Sequence, residues 1–328
     1  MPQPCLLICD IGGTNARFAL AHASGSGFSS ELTLHCSDYE NADEGIADYL
    51  ARNGNMVPDV ICLAAAGPVL NNCVRFTNSH WVIDGDQLQR RFPSSRIRLM
   101  NDFEAIAYSI PLLGEEDLST VGLVASKLDK SSDFTCGVLG PGTGLGIGGL
   151  LGRDNGFYPV FGEGSHAGFA PENRAQYDVL KQLRRRFERV SEERLISGPG
   201  LENIYQALQR IHGEKATEIS AAEIFSRVLA NEDVIASETV QLFYEGLGQI
   251  AGNLALTLGA YDGVYLAGGI VKRYPDLLNN SGFRFGFENK GRHRPLLEKI
   301  PTLLILHPQP GLLGASEIAR EQYQMTAV

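Results

Sequence analysis

The sequence predicts an α/β protein of two related domains that face each other across a cleft. Three observations lead there. The 328 residues amount to about two domains at roughly 150 residues each. Short apolar runs alternate along the chain with stretches of helical periodicity. Both halves also begin alike, with a strand, a polar glycine turn and a returning strand.

Residues 4–9 form an apolar run that ends at Asp10 and Gly12-Gly13, and Arg17 to Ala21 returns, so 4–21 reads as a β-hairpin. Leu32 to Cys36 is a third strand. A helix follows over 42–52, and Val57 to Ala65 is a buried strand closed by Gly67-Pro68. Arg96 to Met100 is another strand. Asn101-Asp102 comes next, and a helix over 103–109 ends before Pro111. Asp102 therefore stands where a strand hands over to a helix, a common place for functional side chains.

The second half opens with a strand from Phe134 to Leu139, a turn from Gly140 to Gly144, and a strand from Leu145 to Leu151. Helices are expected at 174–188, 201–211 and 221–230. The clearest periodicity covers 239–259, where Phe243, Leu247, Ile250, Ala251, Leu254 and Leu258 share one face. Gly246, Gly248 and Gly252 inside it imply close packing against another element. Val264 to Ala267 is a strand running into Gly268-Gly269, 302–306 is a last strand, and Gly311 to Arg320 opens a terminal helix. Ile110-Pro111 and the polar stretch 114–120 mark a boundary. It gives a smaller domain, 1–112, joined by the C-terminal helix 311–328, and a larger one, 113–310.

Hydrophobic residues make up 44% and charged residues 20%, which argues against disorder. The net charge, 28 − 38 = −10, is a poor footprint for nucleic acid or an anionic membrane. The six cysteines form no C-x-x-C pair and read as buried thiols of a reducing compartment. The N-terminus has no basic region before its apolar run, and no apolar stretch approaches the ~20 residues of a membrane span. A cytoplasmic protein is expected. The basic run Lys181, Arg184, Arg185, Arg186 and Arg189 reads as a solvated helix face.

Glycine is in excess, 37 residues, and three turns hold the telling ones. In Asp10-Ile11-Gly12-Gly13-Thr14-Asn15 a carboxylate at a strand end stands beside two glycines and two small polar residues. Glycines let backbone N–H groups approach phosphate oxygens, Thr14 and Asn15 add donors, and Asp10 can hold Mg²⁺ directly or through water. An ordinary Gly-Gly hairpin is the other reading. The second turn belongs to Gly140-Pro-Gly142-Thr143-Gly144, in a region that gathers seven glycines between Gly137 and Gly149. Within it Gly144-x-Gly146-x-x-Gly149 matches a dinucleotide fingerprint, but the alternation fits a strand where that fingerprint must open a helix. The third is Gly268-Gly269, at a strand end where a base or ribose can lie. A P-loop is absent.

In that order the three turns resemble the phosphate-1, phosphate-2 and adenosine motifs of the sugar kinase and actin ATPase superfamily. The resemblance narrows at Leu99-Met-Asn101-Asp102-Phe-Glu-Ala105, Gly162-Glu163-Gly164-Ser-His166, Ser191-Glu-Glu193 to Gly200, Gly252 to Leu256, and Pro310-Gly-Leu-Leu-Gly314. These resemble the bacterial glucokinase family, from Asp10 to about Gly314, in its branch without the zinc-binding cysteine cluster of the repressor/ORF/kinase (ROK) sugar kinases. The resemblance implies the two-domain actin-like (ribonuclease H-like) ATPase fold, with ATP and Mg²⁺ at the glycine turns. It further implies glucose as the phosphoryl acceptor at its 6-hydroxyl, and a homodimer. By the same resemblance Asn101, Asp102, Glu163, His166 and Glu193 contact the sugar, and Asp102 is the general base. A hydroxyl-rich neutral sugar suits such planar carboxylates and amides. Each has a plainer reading: Asp102 as a helix cap, His166 as a structural histidine, Glu193 as a helix-face carboxylate. Gly168 stands where some relatives carry an acidic residue, and Asn78, in Thr77-Asn78-Ser-His80-Trp81, shapes the pocket or a structural hairpin. The rival functions are a kinase for fructose, mannose or an N-acetylhexosamine, and a sugar-sensing regulator without turnover.

Overall fold

The computed structural model describes residues 4–76, 79–125, 128–154 and 156–325. They group into two compact units. The first holds the residues up to Asp117, Phe157–Gly162, and those from His307 onward; the second holds Leu118–Gly156 and Glu163–Leu306.

In the first unit β1 (Leu6–Ile11) and β2 (Asn15–Ala21) form the expected hairpin, with β3 (Phe28–His35) beside β2. β4 (Val60–Ala65) follows helix α1 (Ala42–Arg52). A small hairpin, β5 (Cys73–Arg75) and β6 (Val82–Asp84), leads through α2 (Gly85–Arg91) to β7 (Arg96–Asn101) and α3 (Asp102–Ser109). The sheet runs β3-β2-β1-β4-β7, with β1, β4 and β7 parallel. Those central strands read as unbroken apolar runs because both faces are covered. Leu7, Cys9, Ile11, Ile61 and Leu63 pack with α1 residues Ile46 and Tyr49 and with Trp81. The alternate residues Leu6, Ile8, Val60, Cys62 and Ala64 pack with Ala105 and with Leu312, Ala315 and Ile318 of the C-terminal helix Pro310–Gln324. Each fully buried Leu, Ile or Val among them contributes about 1.5–3 kcal/mol.

In the second unit β8 (Leu118–Thr120) precedes the hairpin β9 (Phe134–Pro141) and β10 (Leu145–Arg153). β11 (Gly156–Phe161) follows, and residues 157–162 group with the first unit. With β12 (Val264–Leu266) and β13 (Thr302–Ile305) the strand order here is β10-β9-β12-β13-β8. The succession β10-β9-β12-β13 repeats β2-β1-β4-β7: an antiparallel hairpin followed by two parallel strands. Helices α4 (Arg174–Leu183), α5 (Gly198–Ile211), α6 (Ala221–Ala230) and α7 (Val234–Leu258) build the core around this sheet. Helix α8 (Gly269–Arg273) starts at the glycine pair after β12.

Several boundaries differ from the sequence reading. β3 begins at Phe28, because pairing with β2 continues through a bulge between Phe18 and Leu20, and Cys36 already starts a 3₁₀ turn. β4 begins at Val60, opposite Leu6, and Val57 is 72% exposed. Gly140 and Pro141 are still strand residues, so the second glycine turn is shorter than expected. Helix α4 stops at Leu183 rather than 188. The arginines beyond it are exposed as expected but lie past the helix end, and Arg186 stands over the ring of Phe187, 5.0 Å from its centroid. The Thr77-Asn78 part of the 77–81 loop lies outside the described residues, whereas Trp81 is buried. No described helix is long and apolar enough to cross a membrane.

Glycines set the closest helix contacts. A Cβ on Gly248 would strike the Phe283 carbonyl, and one on Gly252 the Phe287 carbonyl, so α7 packs backbone to backbone against the short helix Phe283–Glu288. In the first unit a Cβ on Gly314 would overlap the Ala105 carbonyl oxygen and reach Ser109 N at 2.9 Å. Gly314→Ala must therefore push the C-terminal helix off α3. Urea unfolding of the purified variant is expected to show a loss of about 3 kcal/mol; an unchanged midpoint would refute the contact.

Candidate active site

The first unit gathers its chemistry at the carboxyl edge of its parallel strands, where α/β proteins bind ligands. Ile11 pairs with Ala65, and Ala65 with Asn101. Asp10 and Asp102 thus leave one edge with a single strand between them, two interstrand spacings of about 4.8 Å.

Hairpin register sets Asp10 opposite Arg17, whose Nη1 donates to Asp10 Oδ2 at 3.2 Å. Burial pushes the Asp10 pKa up, and the Arg17 guanidinium opposes the rise. The start of the C-terminal helix closes the same corner: a Cβ on Gly311 would sit 3.3 Å from Asp10 Cγ. In the turn itself Gly12 N–H donates to Asn15 O at 2.9 Å, and Cys36 N–H to Thr14 O at 2.9 Å. Thr14 is exposed, and Asn15 Oδ1 is buried without a hydrogen-bond partner among the described residues. Ile11 is a core residue at 0% exposure, so only its backbone borders the turn.

Asp102 is the first residue of α3, with Asn101 as its N-cap. Asn101 Oδ1 accepts from Phe103 N–H at 2.8 Å, and its Nδ2 donates to Gly67 O at 3.0 Å. Asp102 Oδ1 accepts from the same Phe103 N–H at 3.0 Å. The first turn of a helix is a favourable place for a carboxylate charge. The N-cap position of α3 belongs to Asn101, and Asp102 shares the Phe103 N–H with it.

The second unit brings three of the expected sugar residues together with the two other glycine turns. Glu163 Oε2 lies 3.7 Å from His166 Nε2, and both side chains are half exposed. Their loop docks on 189–192: Glu192 N–H donates to Ala167 O at 2.9 Å, Phe169 N–H to Val190 O at 3.1 Å, and Arg189 Nη1 to His166 O at 2.6 Å. Gly168 bridges Ser191, and a Cβ there would come within 4.0 Å of Arg189 Nη2. Glu193 lies in a 3₁₀ turn, Glu192–Arg194, and its Oε2 accepts from Leu145 N–H at 2.9 Å. It therefore braces the Gly142–Gly144 turn, where a helix-face carboxylate would point away.

That turn is closed by Gly142 N–H donating to Gly144 O at 2.8 Å, while Gly142 O accepts from Gly198 N–H at 2.8 Å. Thr143 is exposed at its tip. A Cβ on Gly140 would overlap the Ala267 carbonyl, and Gly268, at φ +99°, faces Pro141 O. The second and third glycine turns are thus pressed backbone to backbone, and Gly269 beside them is exposed with open space at its Cβ. The Gly144–Gly149 fingerprint lies in the β9–β10 hairpin with no helix opening from it.

Sequence reasoning missed Arg17, Arg189 and the Arg98–Glu104 pair. The signal for Arg17 was available, since a tight hairpin turn between 11 and 15 puts residue 17 opposite residue 10. Arg189 gave none, because its partner is a backbone carbonyl 23 residues away.

Solved structures carry the same architecture. A glucokinase from an Antarctic psychrotroph superposes with a TM-score of 0.86 at 30% identity, over 96% of this chain and 98% of that one. A Balamuthia mandrillaris glucokinase in complex with glucose gives 0.78 at 22% identity, covering 97% and 94%. Fold and glycine turns together define a sugar kinase of the two-domain actin-like ATPase class. The chain is also 40% identical over 316 residues to the glucokinase of Hahella chejuensis, 96% of this chain and 97% of that protein. The glucokinase family model matches residues 7–322, and the chain belongs to that family, ATP-using enzymes that phosphorylate glucose.

Glu192, beside the sugar loop, yields a pH test. Burial pushes its carboxyl from an ordinary 4.5 up to about 7. A folded pKa above the unfolded one means a contribution to stability present below the unfolded value and lost as pH rises through the folded value. Glu192→Gln should match the parent's Tm near about pH 4 and exceed it near about pH 8. A Tm difference that is constant across this range would contradict the burial of Glu192.

Proposed function

We propose that Asp102 is the general base and that Asn101, Glu163, His166 and Glu193 hold glucose. The observation that carries this reading is the placement of Asp102 at the carboxyl edge of β7, where α3 begins, on the same sheet edge as the Asp10 turn. Asp102 accepts the proton of the 6-hydroxyl as that oxygen bonds to the γ-phosphorus of ATP. The bond from that phosphorus to the bridging oxygen breaks, and glucose 6-phosphate and ADP leave. Such proton acceptance contributes ~10²–10⁴ in rate, with positioning and charge neutralisation supplying much of the rest.

For the nucleotide, Thr14, Asn15, Thr143 and the backbone of Gly13 and Gly144 are the donors this reading assigns. Gly12 and Gly142 supply space, because their own N–H groups close their turns. Gly268 and Gly269 border the adenosine. Asp10 is the residue assigned to Mg²⁺, directly or through water. A lone carboxylate fits that ion, which commonly takes one or two protein carboxylates and completes its shell with phosphates and water. Among the described residues no group of three or more His, Cys, Asp or Glu could hold a metal alone. Bound there, Mg²⁺ would neutralise charge on the phosphoryl oxygens.

The reading gives the lobe of 1–112 and the C-terminal helix the base, and the lobe of 113–310 most of the sugar contacts. Family resemblance supports a homodimer, and the six free cysteines suit a reducing cytoplasm.

Asp102→Asn keeps size and hydrogen bonding but removes basicity. In a coupled ADP-release assay kcat should fall ~10²–10⁴-fold, with KM for glucose nearly unchanged. A kcat within about tenfold of the parent would remove Asp102 as the base. Asp10→Asn should raise the Mg²⁺ concentration needed for half-maximal rate at fixed ATP several-fold; an unchanged Mg²⁺ titration would move the ion elsewhere.

A further inference from the structure

The corner that carries Asp102 holds two charged residues for which the reaction has no direct use. Glu104 is 2% exposed, the most buried carboxylate among the described residues. It is the third residue of α3, and the Asn101 N–H, back over the first turn, favours its charged form. Asn101 Oδ1 in turn accepts from Phe103 N–H. This is a reciprocal cap of the kind that satisfies donors at both ends of a first helical turn. Glu104 carries a second partner: Arg98, on β7, donates from Nη2 to Glu104 Oε1 at 2.6 Å. Asn101 Nδ2 ties the corner to Gly67, just beyond β4.

Capping alone does not call for such an arrangement. Helices α4, α5, α6 and α7 are capped by the side chains of Asn173, Ser197, Ser220 and Asp233. At α3 a charge is taken out of water, its pKa rises with burial, and the Arg98 guanidinium opposes that rise. The result is that Asp102 is flanked on both sides by anchored residues: Asn101 through its side chain to Gly67, Phe103 through its N–H to Asn101, and Glu104 through its carboxylate to Arg98.

We propose that Glu104 and Arg98 are positioning residues, a brace that fixes the direction in which Asp102 presents its carboxylate to the attacking hydroxyl. The proposal rests on Asp102 being the base. A carboxylate has two oxygens, enough for Arg98 and the Asn101 N–H together. The carboxamide of a glutamine has one, so Glu104→Gln must release one anchor with almost no change in volume. Small displacements of a reacting group cost as much as ~10²-fold in rate.

The test is a double-mutant cycle with Asp102→Asn, read by steady-state kinetics of the full chain. Glu104→Gln is expected to lower kcat ~10–100-fold while KM for glucose and for ATP stays within about threefold. In the Asp102→Asn background the same change should alter kcat by less than about twofold, since a brace without its base has nothing to aim. Arg98→Met, at a side chain 43% exposed, should show the same pattern at smaller size and carries the cycle should Glu104→Gln fail to fold. Arg98→Lys should recover part of the loss.

A kcat within about twofold of the parent in Glu104→Gln overturns the brace. So does a full multiplicative loss in the Asp102→Asn background, or a rise in both KM values that parallels the fall in kcat. If Asp102→Asn itself retains kcat within about tenfold of the parent, the base assignment falls and the brace with it. If Asp102→Asn is inactive and Glu104→Gln is not affected, the brace alone falls.

Discussion

The first unit depends on how closely the C-terminal helix can approach what lies beneath it. Two residues without side chains allow that approach. Gly311 brings the start of the helix against the Asp10 carboxylate, and Gly314 lets its backbone touch that of α3 at Ala105 and Ser109. Leu312, Ala315, Ile318 and Ala319 then cover one face of β1 and β4. Farther along, Arg96 Nη1 donates to Gln322 O at 2.8 Å, which ties β7 to the same helix. The element under Asp10 and the element behind Asp102 are therefore one and the same. A shift of this helix moves both carboxylates together rather than one against the other.

The second unit meets the same demand with different glycines. Gly140 and Gly268 join two turns that lie at neighbouring strand ends, and Gly248 and Gly252 seat the longest helix. The glycine excess thus has two physical origins. Part of it leaves room beside the turns, as at Gly142 and Gly269, and part brings backbone against backbone. The charge of −10 suits the proposed handling of phosphate by turns and a divalent ion, without a basic surface. Arg17, the cation beside the first turn, is paired with Asp10.

Much of the fold was legible because local signals and tertiary contacts agreed. Helices α1 and α6 begin and end at the expected residues, each with a short polar N-cap, Asn41 and Ser220. Helix α4 was read too long because a polar, arginine-rich segment continues after Leu183, and composition does not reveal where apolar contact stops. Strand β8 went unnoticed because its partner β13 lies nearly two hundred residues away, a pairing secured beside Thr302 Oγ1 donating to Val121 O. The site was legible as motifs. Its couplings were not, since Glu193 to Leu145 and Asn101 to Gly67 join residues far apart in sequence.

The return of the chain to its first unit also bears on how the protein is made. During synthesis, β1, β4 and β7 leave the ribosome early, with Leu6, Ile8, Val60, Cys62 and Met100 on a face that α3 covers in part through Ala105 and Tyr108 and that residues after 307 complete. At about 5–20 residues per second, the intervening segment keeps that face waiting for roughly 10–40 s. For that interval the nascent chain carries a partly uncovered apolar sheet surface, the kind of surface that chaperones hold. The helix Pro310–Gln324, translated long after β7, decides when the first sheet becomes a finished structure.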